Sequence, residues 1–385
     1  MSIYFHVAPR VAIERIACVG VFFIRETRQW MSTSRIIVEL CPLIDGTRDL
    51  DSLIAAAAPG LTPAEVIYAT QQLERAGVIE ARPDRASPEQ IPRSVTLAER
   101  AGEHWTIAAT DAAAAAIMVD ALASVRFEQV GERRHLVVVR DYLEPAAGQL
   151  MTELSNRGEA WLPIKLRGER AYFGPSFGHG RKACWLCVRA RLEANRPVEA
   201  FLKREIGRPF GFAHETDAQI GPQGKALAGI VAEHLADERL DDGILEWDGP
   251  AGQLRRHAIV ACSDCPHCGR LSRCVGALEA PPNLARDIPI SRRSGGYRVR
   301  EAAETVASLA PIISDLTGFI ASVGPIVIAP PETGSATEQH HARHVHAAAY
   351  LRTPRTTRPM VDDFHGVSLG KGRDAEQAQA SAVCE

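Results

Sequence analysis

The chain has none of the features that carry a protein into or across a membrane. Its first twenty residues include Arg10, Glu14 and Arg15 and lack an apolar core before a small-residue cleavage site, so no signal peptide is expected. The longest uncharged apolar stretch, Leu316 to Pro331, is broken by glycine and proline and is too short to span a bilayer. An excess of either charge is also missing. There are 44 Lys and Arg against 47 Asp and Glu, a formal net charge of −3. That excludes a whole-protein nucleic-acid clamp, which would need concentrated Lys and Arg. No G-x-G-x-x-G follows an expected strand, so a dinucleotide or ATP pyrophosphate would lack its cradle. No Ser-His-Asp elbow, no H-E-x-x-H and no paired catalytic carboxylates emerge. These absences point to a cytoplasmic protein that recognises and positions rather than cleaves.

What is present is an ordinary globular composition, 385 residues of which 46% are hydrophobic and 24% charged, enough for roughly two to three domains. Among nine cysteines, four fall in two C-x-x-C pairs, Cys184-Trp-Leu-Cys187 and Cys265-Pro-His-Cys268. One such pair alone would read as redox-active. Two favour a closed tetrathiolate zinc site, with bonds of about 2.3 Å and no open position, hence structural. Cys262 and Cys274 flank the second pair and could substitute as ligands, whereas Cys18 and Cys41 sit in apolar runs and are expected to be buried.

The hydrophobic period changes along the chain. Residues 11–31 read as short strands, with Val19 to Ile24 apolar, a polar turn Arg25-Glu26-Thr27-Arg28, and strand-like Gln29-Trp30-Met31. Three helix faces follow: Ile36, Ile37, Leu40 and Leu43; then Leu50, Leu53 and Ile54; then Val66, Ile67, Thr70, Leu73 and Ile79, followed by a strand. Thr62 and Glu65 form a capping box around Pro63, and Gly77 ends the third helix. This is a winged helix-turn-helix pattern, and it stops at the Pro/Arg/Ser-rich stretch Arg82 to Arg93. From Trp105 an α/β layer pattern takes over, with an Ala-rich helix Asp111 to Ala123, an apolar strand His135 to Arg140, another helix and a strand Trp161 to Leu166. The run Leu136-Val-Val-Val predicts a parallel strand buried on both faces, with Asp141 as its end cap. A third unit opens at Arg293-Ser-Gly-Gly-Tyr-Arg298. It has a helix Glu301 to Leu309, strands Phe319 to Ile328 and Val345 to Leu351, and a last helix through Ala375, Ala378, Ala380 and Ala382. No stop signal precedes Glu385, so the chain is expected to be cut inside that helix.

Several stretches together resemble the azole-forming cyclodehydratases. Ile13 to Glu80, with Cys41-Pro-Leu-Ile-Asp-Gly46-Thr and Leu73-Glu-Arg-Ala-Gly-Val-Ile79, is similar to a PqqD-like peptide-recognition element. Val137-Val-Val-Arg-Asp141-Tyr, Tyr172-Phe-Gly-Pro175, and Ala183-Cys-Trp-Leu-Cys187 with Arg191 resemble the degenerate ubiquitin-activating-like domain of those proteins, where paired cysteines hold zinc and the nucleotide site is lost. The last hundred residues, from Ser294-Gly-Gly-Tyr to Glu385, resemble the opening of a YcaO domain. The resemblance implies an α/β (α+β overall) architecture: a winged-helix leader-recognition element over 1–82, a linker over 83–102, a ubiquitin-activating-like zinc domain over 103–285, and an amino-terminal fragment of a YcaO α/β domain over 286–385. It implies ATP-dependent formation of thiazoline or oxazoline rings in a ribosomally made precursor peptide, as in bacteriocin biosynthesis. Implied partners are the precursor's leader, a YcaO domain or protein and a second copy of the chain, without nucleic acid or membrane. The alternative is a stand-alone leader-binding partner that activates a separate YcaO enzyme.

The candidate sites follow from these readings. Cys184, Cys187, Cys265 and Cys268 are the zinc ligands. An extended peptide would add beside Gln29, Trp30 and Met31 and meet Tyr68, Gln71 and Arg75 on the third helix, with backbone hydrogen bonds giving affinity. A DNA-reading winged helix is the alternative, but Arg25, Arg28, Arg35 and Arg75 are too scattered for a phosphate track. By resemblance, Ser381 and Glu385 match the first two positions of the YcaO run Ser-x-x-x-Glu-x-x-Glu-Arg, and with Lys371 they would contact ATP and Mg2+ in a complete YcaO domain. Magnesium needs several carboxylates at close range, so this chain alone is not expected to hydrolyse ATP, and no catalytic residue is assigned. Gly366 to Gly372 fails the Walker pattern and reads either as a nucleotide-proximal loop or as a glycine-rich hairpin. His340, His341, His344 and His346 make a poor second metal site, because neighbours on a strand point apart.

Overall fold

The computed structural model describes residues 3–84, 97–101, 105–125, 134–178, 184–211, 220–236, 242–249, 251–268, 300–326 and 344–385. At the amino end, β1 (Tyr4–Val7), β2 (Ala12–Ile16), β3 (Gly20–Ile24) and β4 (Gln29–Ser32) precede α1 (Arg35–Leu40), α2 (Leu50–Ala57), α3 (Pro63–Arg75) and β5 (Ile79–Arg82). Strands β2, β3 and β4 form an antiparallel sheet with β4 at one edge, and β5 pairs with β1 rather than with that sheet. The sequence pattern misses β1 because all four of its residues are half-buried, leaving no alternation to read. Strand β3 is buried throughout. Val21 and Phe23 join Leu40, Leu53, Val66 and Leu73 beneath the three helices, while Phe22 and Ile24 face Met31, Phe201, Leu202 and Phe364. Each such large apolar side chain contributes about 2–3 kcal/mol by leaving water, so this strand ties two layers together.

Helix α3 has the expected capping box: Glu65 N–H donates to Thr62 Oγ1 (3.3 Å), and Thr62 N–H donates to Glu65 Oε2 (2.8 Å). Gly77, at φ +68°, turns the chain out of it. Its buried face is Val66, Ala69, Thr70 and Leu73. Ile67, expected on that face, is 38% exposed because it sits a third of a turn from Val66, and Ile79, also expected there, lies past the Gly77 turn as the first residue of β5.

The central sheet has seven strands in the order β12-β11-β10-β9-β8-β7-β6. These are β6 (Leu97–Ala101), β7 (Trp105–Ala109), β8 (Arg134–Val138), β9 (Trp161–Lys165), β10 (Tyr172–Phe173), β11 (Ile244–Asp248) and β12 (Gln253–His257). Only β7, β8 and β9 run parallel, joined by α4 (Ala112–Ala123) and α5 (Pro145–Arg157). The Leu136-Val-Val-Val run alternates as expected between two layers. Leu136 and Val138 pack with α4 and α8 (Pro222–Ala236), and Val137 and Val139 pack with α5 and α6 (Trp185–Ala194). Helix α7 (Pro197–Ile206) packs on β3 and β4.

The last unit contains α9 (Ala302–Leu309), the antiparallel strands β13 (Ser322–Pro325), β14 (His344–Leu351) and β15 (His365–Gly372), and α10 (Ala375–Cys384). The strand expected over Phe319 to Ile328 is shorter: Phe319 is 49% exposed ahead of it, under the Arg191 guanidinium at 3.8 Å. Residues 327–328 lie outside the described set. Strand β15 is unanticipated, since its glycines read as turn formers. They serve close approach instead: a Cβ on Gly370 would lie 2.0 Å from Ala382 N and 2.1 Å from Ala378 O of α10. Among the described residues, no helix is long and apolar enough to cross a membrane.

Candidate functional site

The two C-x-x-C segments meet. Cys184 caps α6, Cys187 lies in its first turn, and the four sulfurs of Cys184, Cys187, Cys265 and Cys268 all lie within 4.8 Å of one another. Three of the separations are 3.7, 3.5 and 3.5 Å. Bonds of about 2.3 Å to one tetrahedral ion place sulfurs about 3.8 Å apart, so the quartet has the right size. Burial holds the Cys184 thiol far above its usual range, and burial with its thiol neighbours pushes Cys268 up to about 11. At Cys265 burial is outweighed by the backbone N–H groups of Cys268 and His267, which bring it down to about 7. Four thiolates at this distance need a cation, and soft sulfur donors suit zinc. Cys262 stands beside the quartet, its N–H 3.3 Å from Cys187 Sγ; Cys274 lies outside the described residues. Cys41 is buried as expected, and burial pushes its thiol up to about 12. Cys18 is exposed, contrary to expectation, because it occupies the tight β2–β3 turn at φ +61°.

Strand β4 carries three of the peptide-contact candidates. Arg25 and Arg28 exchange both backbone hydrogen bonds across the β3–β4 turn, at 2.9 and 3.3 Å. Counted along the register from that pair, Trp30 and Ser32 bond inward to β3, and the N–H and C=O of Gln29 and Met31 point to the open side. Among the described residues no backbone group pairs with them there. The side chains divide by face. Gln29 donates its amide to Glu199 of α7 (2.6 Å), and Met31 is buried near Phe22. Trp30 stacks on Phe23 at 5.3 Å, with the Arg28 guanidinium over its ring at 4.9 Å. Tyr68, Gln71 and Arg75 line an exposed stripe of α3, Tyr68 being 58% exposed.

A contact that sequence reading misses fixes this hairpin to the central sheet. Glu26, at the turn, accepts from Lys165 Nζ (2.6 Å) and from the backbone N–H groups of Glu169 (2.7 Å) and Arg170 (3.0 Å). Both charged side chains are shut from water, at 0% and 3% exposure. Arg25 and Thr27 bind the Glu169 carboxylate from the same turn. Arg170 continues inward to Glu246 (2.5 Å), which also accepts from Arg255 and bonds His257 (2.8 Å). His257 in turn reaches Ser314 Oγ (2.7 Å), between α9 and β13 of the last unit. The available signal was Lys165 itself, a cation at the end of an apolar strand that must find a carboxylate.

The nucleotide-contact candidates are not brought together. Gly370 and Gly372 face α10, so Lys371 between them projects from the opposite side of β15 and is exposed. Ser381 lies on α10 and Glu385 caps its end one turn later, Ser381 half-buried and Glu385 exposed. Gly366-Val-Ser-Leu-Gly370 does spell the G-x-S-x-G pattern of the nucleophile elbow, which the sequence was expected to lack. Ser368 lies within β15, however, and donates to Ala382 O (2.8 Å), so no elbow forms. Asp141 is fully buried and paired with Arg196 at 2.7 Å, in keeping with a structural end cap. His344 is exposed and His346 buried on β14; His340 and His341 lie outside the described residues. The thiol quartet is the one cluster of potential metal ligands among the described residues.

No family model matches the chain, and no curated protein does. Among solved structures it is similar to a heterocyclase in complex with substrate and cofactor, at 18% identity and a TM-score of 0.56, over 100% of this chain and 53% of that one. The heterocyclase TruD aligns at 18% identity and a TM-score of 0.42, over 82% of this chain and 48% of its own. A chain of the E. coli microcin synthetase McbBCD complex aligns at 10% identity and a TM-score of 0.29, over 68% of this chain and 99% of its own. The first likeness shows a shared fold along the whole chain, which spans about half the length of either heterocyclase chain.

Proposed function

We propose that this chain is the recognition and scaffold part of an ATP-dependent cyclodehydratase, which captures a precursor peptide by its leader and presents downstream Cys, Ser or Thr residues for azoline formation. The observation that carries this is the unpaired outer edge of β4, whose Gln29 and Met31 backbone groups offer an extended peptide a strand to join. The fold shared with a heterocyclase in complex with substrate and cofactor supports the same reading. In this assignment residues 1–82 are the winged-helix leader-binding element, 83–102 a linker, 103–285 the ubiquitin-activating-like zinc domain and 286–385 the beginning of the YcaO domain. Capture raises the local concentration of the core peptide, so a ring-forming site of broad specificity acts on one substrate.

Cys184, Cys187, Cys265 and Cys268 would hold zinc, which supplies a rigid cross-link and no chemistry. ATP and Mg2+ belong to the complete YcaO domain, with Ser381 and Glu385 on the approaching helix; Lys371 would need a partner on the other face of the sheet. The test is fluorescence polarisation of this chain with a labelled synthetic leader of the small precursor encoded beside it. Binding at micromolar concentration or tighter is expected, and no binding would overturn the reading.

A further inference from the structure

A cavity of about 790 Å³ opens where the recognition hairpin meets the central sheet. Arg10 and Thr27 form its wall on one side, and Glu169, Gln223, Ala226 and Trp247 on the other. Neither unit makes it alone. The Glu26 contact beneath it, to Lys165 and to the Glu169 and Arg170 amides, holds the two walls in register. Thr27 is two residues from Gln29, where the open edge of β4 begins, a distance of about 7 Å along an extended chain. A strand added to β4 and continuing past Gln29 runs toward the end of the sheet where Thr27, in the turn, and Arg10, just ahead of β2 at the other edge, line this cavity.

The chemistry of the walls indicates what arrives there. Trp247 is half-buried and Ala226 exposed, giving an apolar floor, and the Gln223 amide lies beside it for backbone groups. The nearby carboxylate of Glu169 is already engaged by Arg25 and Thr27. Pockets at domain junctions with apolar floors and a few polar groups are usual ligand sites. Resting on the leader-binding reading above, we propose that this cavity is a second recognition point, receiving an apolar side chain of the bound peptide a few residues beyond those paired with β4. Edge pairing alone reads little sequence, because it uses backbone; a side-chain pocket at the end of the strand supplies specificity.

The experiment is fluorescence polarisation of the full chain with the labelled synthetic leader peptide, comparing three variants whose folding is checked by circular dichroism and metal content. Ala226→Trp fills the cavity from an exposed helix position, Trp247→Ala removes its floor, and Gln29→Pro deletes an outward N–H at the first position of an edge strand, where proline is tolerated. Filling the cavity or removing its floor is expected to weaken binding at least tenfold, and Gln29→Pro to weaken it further. If Gln29→Pro weakens binding while both cavity variants bind within twofold of the parent, the cavity proposal is wrong and the edge reading stands. If the parent does not bind, or Gln29→Pro binds as the parent does, edge capture itself fails and the cavity proposal falls with it. Should Ala226→Trp not fold, Trp247→Ala alone decides.

Discussion

At the scale of single residues, the structure concentrates its risk in buried charges and thiols. Removing one member of a buried pair leaves the other uncompensated, at a cost of about 3–5 kcal/mol. Glu26→Ala, which strands Lys165, is therefore expected to lower the urea midpoint sharply, and the double replacement Glu26→Leu with Lys165→Met to recover most of the loss. For the thiols, one zinc per chain is expected by mass spectrometry of metals, absent in Cys184→Ser and Cys265→Ser alike. Losing a structural metal should lower Tm by about 10 °C or more; retention of zinc in either variant would mean the ligand set is wrong. The quartet was legible because C-x-x-C spacing is a local signal. Glu26 was not, because a charged residue in a polar turn looks the same whether it faces water or a buried lysine.

At the scale of elements, local chemistry was read well wherever it is local. The α3 capping box, its proline and its terminal glycine all stand where the sequence puts them, and Thr62→Ala is expected to cost about 1 kcal/mol, measured by thermal unfolding. Strands β1 and β15 escaped for different reasons. The first has no alternation, and the second is glycine-rich because α10 lies almost against its backbone. Gly370→Ala pushes a methyl into Ala378 O and Ala382 N and should destabilise by about 1–3 kcal/mol, whereas Gly148→Ala, with nothing within 4 Å, should not.

At the scale of the molecule, the β3–β4 hairpin, the central sheet and the last unit are joined through buried ionised side chains, which makes the assembly sensitive to acid. Burial raises the Glu246 and Asp111 carboxyls, but their arginine partners, with His257 at Glu246, outweigh it and hold both below the usual carboxylate range. Each folded value lies below the unfolded one of about 4, so their stabilisation is full above that pH and is lost as pH falls further. Tm is expected to drop steeply below about pH 4, and less steeply in Glu246→Gln. Which layers stack was visible from the periodicity of Leu136-Val-Val-Val. How the units lock was not, because Glu26 and Glu246 each join residues far apart in sequence.

The account rests on the outer edge of β4 accepting a peptide strand. Residue-resolved amide hydrogen exchange of this chain, with and without saturating leader peptide, tests it directly. The N–H groups of Gln29 and Met31 should become protected when peptide binds, with little change at Trp30 and Ser32, which already pair with β3. Unaltered exchange at Gln29 and Met31 in the presence of bound peptide would contradict it.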